Sequence, residues 1–268
     1  MARPPVHPEA SRPREPRDPS EAAWSEQLLT ANPHERDDKA VRVRSMFGAI
    51  ARRYDLNNRL HSFGLDQRWR RRTVQLASVN DATEVVDVAC GTGDLTEAFA
   101  AAGVRSVIGV DFTPQMLHIA RVKSGRRRST ARNSVAYREG DATQLDLPDA
   151  SCDVVSIAFG IRNVSEPAKA LREFRRILRP NGRLVVLEFS EPRNALLRLG
   201  NRIYCHHIMP LTATLIARDR SGAYRYLPRS VETFLTPAAL AAMAREAGFS
   251  DVTQHPLTFG VCTVTVAR

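Results

Sequence analysis

Cysteine is scarce and scattered in this chain: Cys90, Cys152, Cys205 and Cys262 are its four cysteines, and no two form a C-x-x-C pair. Such spacing offers neither a zinc-ligand set nor a disulfide framework, so no metal site is expected and a reducing cytosol fits. Long hydrophobic runs are also missing. No stretch of about 18 apolar residues occurs, the length a membrane-crossing helix needs. Proline and charge stand at the N-terminus where a signal peptide would carry an apolar core. These absences point to a cytoplasmic location. Internal repeats are absent too, and 268 residues suit one α/β core rather than two.

What the chain has in excess is positive charge, formally +10, which suggests an anionic partner such as nucleic acid or a membrane surface. The N-terminal tail is not its source, because residues 1–40 hold more acids than bases. The excess lies in Arg42 to Arg72, with a smaller cluster of Arg121, Lys123, Arg126, Arg127, Arg128 and Arg132 that reads as a surface loop. Residues 1–38 are rich in Pro, Arg and Glu and poor in apolar side chains. They are expected to form a disordered leader, with a short helix near Ala22 to Leu29 able to dock through Trp24.

From residue 39 to 268 the pattern reads as one domain. Val43, Met46, Phe47, Ile50 and Tyr54 recur at helical spacing within an N-terminal basic helical segment, 39–78, which Asn57, Asn58 and Gly64 are expected to interrupt. The body then alternates β-branched runs with helical patterns, the signature of a parallel sheet flanked by helices. Strands are expected at Glu84 to Ala89, Ser106 to Asp111, Val135 to Glu139, Cys152 to Ala158, Arg183 to Phe189, Val252 to Leu257 and Val261 to Ala267. The last two are joined so closely that they should form an antiparallel hairpin. Helices are expected near Leu95 to Ala102, Pro114 to Lys123, Ala168 to Leu178 and Pro237 to Ala247. Thr113-Pro114 and Thr236-Pro237 supply N-caps for two of them. The alternation lapses across 191–230, an insertion rich in Leu, Tyr, His and Arg.

The turn Gly91-Thr92-Gly93 follows the first strand directly and opens a helix, so backbone approaches a ligand closely there. Position 96 is Thr where a dinucleotide fold places a third glycine, which argues against NAD or FAD. Asp111 ends the second strand, placed to accept both hydroxyls of a ribose. Asp141 and Ala142 follow the third, where a carboxylate and a backbone N–H would meet an adenine edge. Each acid taken singly also fits a turn cap. The ordered set Asp87, Gly91, Gly93, Asp111 and Asp141 at successive strand ends favours an adenosine pocket.

This set resembles the class I S-adenosyl-L-methionine (SAM) methyltransferases. Phe47 to Leu60, Ser62 to Gly64 with Trp69 and Arg70, Asp87 to Thr96, Phe159 to Val164, Leu178 to Ser190 and Tyr224 to Ser230 together resemble the C-methyltransferases of menaquinone and ubiquinone biosynthesis. The resemblance implies an α/β fold with a Rossmann-like sheet, mostly parallel with a C-terminal antiparallel hairpin, and helices on both faces. It implies SAM as cofactor, adds Thr92 to the cofactor contacts, and makes 191–230 a substrate-side insertion. Ala158 stands where the family often has a serine. The implied reaction is C-methylation of a prenylated quinol, with demethylmenaquinol the first choice and a 2-methoxy-6-polyprenyl-1,4-benzoquinol the alternative.

Ring carbon is a weak nucleophile until a neighbouring hydroxyl loses its proton, so a base or an oxyanion stabiliser is required. Arg162 and Asn163 follow the fourth strand and are expected to stabilise the phenolate and orient the ring. His207 fits the resemblance better than His206 as a base, although a structural histidine fits equally. Tyr54 with Asp55, and Tyr224 with Tyr226, are candidates for the ring pocket. A prenylated quinol resides in the bilayer, which gives the Arg42 to Arg72 segment a role at the anionic inner face of the cell membrane. A reading from another class makes that segment a nucleic-acid-binding surface. Aromatics interleaved with the basic stretch in an RNA-binding pattern are lacking, and Ala158-Phe159-Gly160-Ile161 stands where a nucleic-acid methyltransferase would carry an Asn-Pro-Pro-Tyr-like tetrad.

Overall fold

The computed structural model describes residues 23–125, 134–217 and 221–268. Arg126, Arg127, Arg128 and Arg132, and the leader as far as residue 22, lie outside the described residues. Residues 23–38 pack onto the body, with Trp24 as the docking side chain. Trp24 is fully buried and stacks on Tyr226 with ring centroids 4.5 Å apart, and its amide donates to the Ser221 carbonyl at 2.9 Å. One large aromatic supplies enough buried apolar area to order a segment that is otherwise polar. A short helix α1 (Glu26–Leu29) follows, capped by Ser25.

Helix α2 (Lys39–His61) runs through Asn57 and Asn58 without a break. Asn57 is buried and its Nδ2 donates to Tyr224 Oη at 2.6 Å, so a tertiary hydrogen bond offsets its poor helix propensity. The interruption falls at Gly64, which adopts φ +73°, before α3 (Leu65–Ala77). The body follows as β1 (Glu84–Val88), α4 (Asp94–Ala101), β2 (Ser106–Asp111), α5 (Pro114–Gly125), β3 (Ser134–Glu139), β4 (Cys152–Ala158), α6 (Pro167–Ile177) and β5 (Leu178–Phe189). Helix α7 (Ala195–Ile203), a π-helical turn (Tyr204–Ile208) and α8 (Met209–Ala217) come next. The described chain closes with α9 (Ala223–Glu232), α10 (Pro237–Glu246), β6 (Val252–Leu257) and β7 (Cys262–Ala267). β5 begins earlier than expected because Leu178 pairs with Cys152 ahead of a register shift, and Asn181 at φ +66° turns the bulged strand.

The seven strands lie in the order β3-β2-β1-β4-β5-β7-β6. The first five neighbours pair in parallel. β7 is antiparallel to both β5 and β6, as the short connection between the last strands requires. Pro256, which has no N–H to donate, sits on edge strand β6, where its absence from a ladder costs least. Alternate strand residues enter opposite cores, as a pleated sheet covered on both faces demands. Val86, Val155 and Val186 pack with Leu171 and Phe174 of α6 and Leu240 of α10. Val85, Val154 and Val185 pack with Val74 of α3 and Phe99 of α4. A third cluster joins Trp24, Met46, Ile50, Met209, Tyr224 and Tyr226, and so ties α2, α8 and α9 into a helical cap.

Within the segment from Arg42 to Arg72, Arg52, Arg53, Arg59, Arg68, Arg71 and Arg72 are exposed, while three other arginines are engaged within the protein. Arg42 binds Asp38 and the Ala23 carbonyl, and Arg44 binds Glu139. Arg70 is buried against Asp66 at 2.9 Å. No helix among the described residues is long and apolar enough to cross a membrane.

Candidate active site

The glycine turn is shaped by what lies against it. Gly93 adopts φ +84°, and a Cβ there would fall 2.5 Å from Tyr137 Oη, so a side chain would strain the backbone and displace the tyrosine. The Gly91 amide donates to Asp111 Oδ2 and the Thr113 amide to Asp111 Oδ1, each at 2.8 Å. The Asp111 carboxylate is thereby fixed at the end of β2, with lone pairs left over. Burial pushes its pKa up, while the two amide bonds pull it back.

A cleft runs along the carboxyl ends of the parallel strands and is lined by Gly91, Asp111, Asp141, Ala142, Ala158 and Asn163. Asp141 also caps its own turn, accepting from the Thr143 amide at 2.7 Å and hydroxyl at 2.8 Å, so the turn-cap and cleft readings coexist. Asp87 lies deeper. Its carboxylate accepts from the Ser156 hydroxyl at 2.7 Å and the Thr96 hydroxyl at 2.6 Å, and burial raises its pKa to about 6. Thr92 donates through Oγ1 to Asp55 of α2 at 2.5 Å. Lys123 of α5 bridges the same Asp55, at 2.8 Å, to Asp94 at the start of α4. Helix α2 is thus fastened over the glycine turn by an ion network that joins residues far apart in sequence. Asp55 was singled out beside Tyr54, but nothing in the spacing identified Lys123 as its partner.

A second, larger cavity of about 180 Å³ opens between the sheet end and the helical cap. Its apolar walls include Met46, Ile50, Trp69, Phe189 and Met209. Phe47, Tyr54 and Phe159 line both this cavity and the cleft, so the two meet at those side chains. Burial raises the pKa of the Tyr54 phenol. Arg162 is on the wall of the larger cavity, and Asn163 faces the cleft. Arg162 Nη1 donates to Glu188 at 2.7 Å and to the Phe159 carbonyl at 2.8 Å, and the guanidinium lies 5.4 Å from the Phe189 ring centroid. Glu188 is its ion partner. Asn163 is held between the Phe159 carbonyl at 3.2 Å and the Tyr226 hydroxyl, which donates to it at 2.9 Å.

The histidines of the insertion divide between two faces. His206 lines the larger cavity, with Nε2 at 2.8 Å from Glu232 Oε1. His207 is exposed and is not among the residues lining either cavity. The π-helical turn makes this division unreadable from helical spacing alone. Tyr224 and Tyr226 both line the larger cavity. Among the described residues, no group of three or more His, Cys, Asp or Glu is placed to hold a metal ion.

Comparisons with known proteins bear on this arrangement. A profile of the ubiE/COQ5 methyltransferase family matches residues 35–268. A protein of Thermus thermophilus named demethylmenaquinone methyltransferase is 48% identical over 223 residues, which cover 82% of this chain and 98% of that protein. Its Deinococcus radiodurans namesake is 42% identical, with coverage of 87% and 94%. A Geobacter protein named ubiquinone/menaquinone biosynthesis C-methyltransferase is 40% identical, with coverage of 85% and 97%. Among solved structures, a SAM-dependent methyltransferase of Aquifex aeolicus superposes with a TM-score of 0.53 at 17% identity, covering 74% of this chain and 88% of that one. The Haloferax volcanii complex of the Trm112 methyltransferase activator and a methyltransferase contains a chain that aligns with a TM-score of 0.59 at 18% identity, covering 82% and 96%. At that identity these structures speak for the fold alone.

Proposed function

Since the chain belongs to the ubiE/COQ5 methyltransferase family, we propose that it methylates a ring carbon of a reduced, prenylated quinone with SAM as methyl donor, and that demethylmenaquinol is the substrate. The observation that carries this reading is the meeting, at Phe47, Tyr54 and Phe159, of a cleft that presents the carboxylates of Asp111 and Asp141 with a larger, mostly apolar cavity. One space suits a nucleoside and the other an isoprenoid-bearing ring. The naphthoquinol branch is preferred because relatives at 48% and 42% identity carry the demethylmenaquinone name.

The cleft residues fit the cofactor. Asp111 is already oriented by two amides and keeps acceptor capacity for ribose hydroxyls. Gly91 leaves backbone open to the ligand, and Asp141 with Ala142 offers an acceptor and a donor to the base. Thr92 and Asp87 act at one remove, Thr92 by fixing α2 through Asp55 and Asp87 by bracing the strand ends. When bound, the cofactor supplies an electrophilic methyl carbon on a sulfonium.

Phe159 and Tyr54 hold the ring against that carbon and exclude water between the two spaces. His206 is the base in this reading. If Nε2–H is donated to Glu232, Nδ1 is the acceptor, and the carboxylate stabilises the imidazolium that forms. His206 would take the quinol hydroxyl proton at Nδ1 while the ring carbon accepts the methyl that the cofactor supplies, and would return that proton to the ring oxygen as the ring carbon's own proton passes to water and aromaticity is restored. Arg162, buried beside Glu188, stabilises the oxyanion. Asn163 and Tyr226 fix the loop that carries it.

Purified protein supplied with SAM and reduced short-chain demethylmenaquinone tests the reading. The corresponding short-chain menaquinone should appear by mass spectrometry. Turnover of a 2-methoxy-6-prenyl-benzoquinol in preference would move the assignment to the other branch, and methylation of neither would remove it.

A further inference from the structure

Helix α7 is built inside out. Arg198, Asn201, Arg202 and, one turn on, Cys205 recur at helical spacing and line the larger cavity. On the opposite face Leu196, Leu199 and Ile203 form an apolar stripe exposed to solvent, Leu196 at 78%. No residue of α7 is buried. Ile208 and Leu211 extend the exposed apolar surface into α8. A surface helix of a globular protein normally turns its apolar stripe inward, so this one is turned toward something that the rest of the fold does not supply.

Two loops at the same cavity mouth repeat the pattern. Phe63, next to cavity-lining Ser62, is 78% exposed, and Phe259, in the loop ahead of Val261, is 81% exposed. Both adopt left-handed backbone, at φ +53° and +57°. That conformation is costly for a bulky side chain and is tolerated where a position serves a purpose. The loops are physically joined to the insertion. The Phe63 ring lies 6.0 Å from that of Tyr204, and His61 Nε2 is 2.8 Å from Thr212 Oγ1 of α8. Gly260 packs against Pro192 just ahead of α7. The same segments carry exposed arginines: Arg59 and Arg193 are exposed, and Arg202, at the edge of ion-pair distance from Glu191 and Glu232, is 60% exposed.

We infer that the outward face of α7 and α8, with the Phe63 and Phe259 loops, docks on an anionic phospholipid bilayer and seats the cavity mouth against it. An apolar stripe on segments that also carry exposed arginines has the composition of a helix lying in a lipid headgroup layer. The inference rests on the quinol reading, because a substrate dissolved in the bilayer gives that mouth its reason to face lipid. It also adds an apolar contact that the exposed arginines of the Arg42 to Arg72 segment do not supply.

The test is flotation of the full chain with phosphatidylcholine vesicles, with and without phosphatidylglycerol, for wild type and for Leu196→Glu/Leu199→Glu/Ile203→Glu. Wild type should float with the anionic vesicles, and the triple variant should lose affinity by about tenfold or more, because it keeps those side chains from leaving water and adds charge that anionic lipid repels. Both proteins should bind S-adenosylhomocysteine equally in calorimetry and methylate a short-chain quinol equally in detergent-free buffer. Those controls separate the two readings. Sound cofactor binding and short-chain turnover without flotation overturn the docking surface alone, whereas absent turnover by wild type overturns the quinol reading. Equal flotation of the triple variant overturns this face, as does sedimentation showing a wild-type dimer that the variant makes monomeric, since a second copy would then be its partner.

Discussion

At the scale of single residues, His206 and His207 differ by one position and by what surrounds them. His206 with its Glu232 partner lines the cavity, and His207 is exposed and lines neither space. His206→Ala should lower kcat by about 10²- to 10⁴-fold, the usual contribution of a positioned base, while His207→Ala should change it far less on a short-chain substrate. The reverse order in steady-state kinetics would return the role to His207. Asp87 makes a separate point about charge. Its folded pKa of about 6 stands above the ordinary 3.8, so the folded state binds the proton more tightly than the unfolded chain does. Stability should fall as pH rises through that window, by an amount on the order of 3 kcal/mol. Urea denaturation of Asp87→Asn across the same pH range should show a flatter profile if the hydroxyls of Ser156 and Thr96 accommodate the amide.

Elements carry what no single side chain does. The strap formed by residues 23–38 is held partly by His34, whose Nε2 lies 2.8 Å from the Ser230 carbonyl while Nδ1 is buried without a hydrogen-bond partner. Burial lowers its pKa from 6.5 to about 4. A base depressed in this way stabilises the fold fully above its unfolded pKa, and that stability is lost as pH falls from 6.5 toward 4. Proteolysis near the strap should therefore accelerate in mild acid, and His34→Gln should remove the acid dependence. Helix α2 is secured differently, through Asp55 to Thr92 and Lys123. Asp55→Ala frees that helix from the glycine turn and should weaken S-adenosylhomocysteine binding by about three- to tenfold, as loss of a hydrogen bond or so implies. Calorimetry reads this directly, and an unchanged affinity would separate the helix from the cleft.

The parallel strands were legible because β-branched runs and N-caps report local chemistry, and Asp111 was legible because strand ends define the cleft. The path of α2 was not. Asn57 carries a turn signal that only its distant partner Tyr224 cancels. Glu232 and Lys123 gave no signal at all, since each acts across more than twenty residues of sequence. The outward face of α7 was equally hidden, because helical periodicity locates an apolar stripe without saying which way it points.

For the molecule as a whole, binding at the cleft should register as global stability. A ligand present at 100 times its dissociation constant raises the unfolding free energy by about 2.7 kcal/mol. S-adenosylhomocysteine should therefore raise the thermal midpoint of the wild-type chain, and Asp111→Ala should abolish the rise without lowering the unliganded midpoint by a comparable amount. A ligand shift retained in that variant would place the cofactor elsewhere.

The wall common to both spaces has a kinetic consequence. Phe47, Tyr54 and Phe159 cannot move for one ligand without being felt by the other, and any such coupling acts with the same factor in both directions. The spent thioether, while it remains in place, then changes the affinity for the next quinol as much as that quinol changes the thioether's residence. Release of one product and entry of the next substrate become a single linked event, and the order of addition in a steady-state experiment would show it.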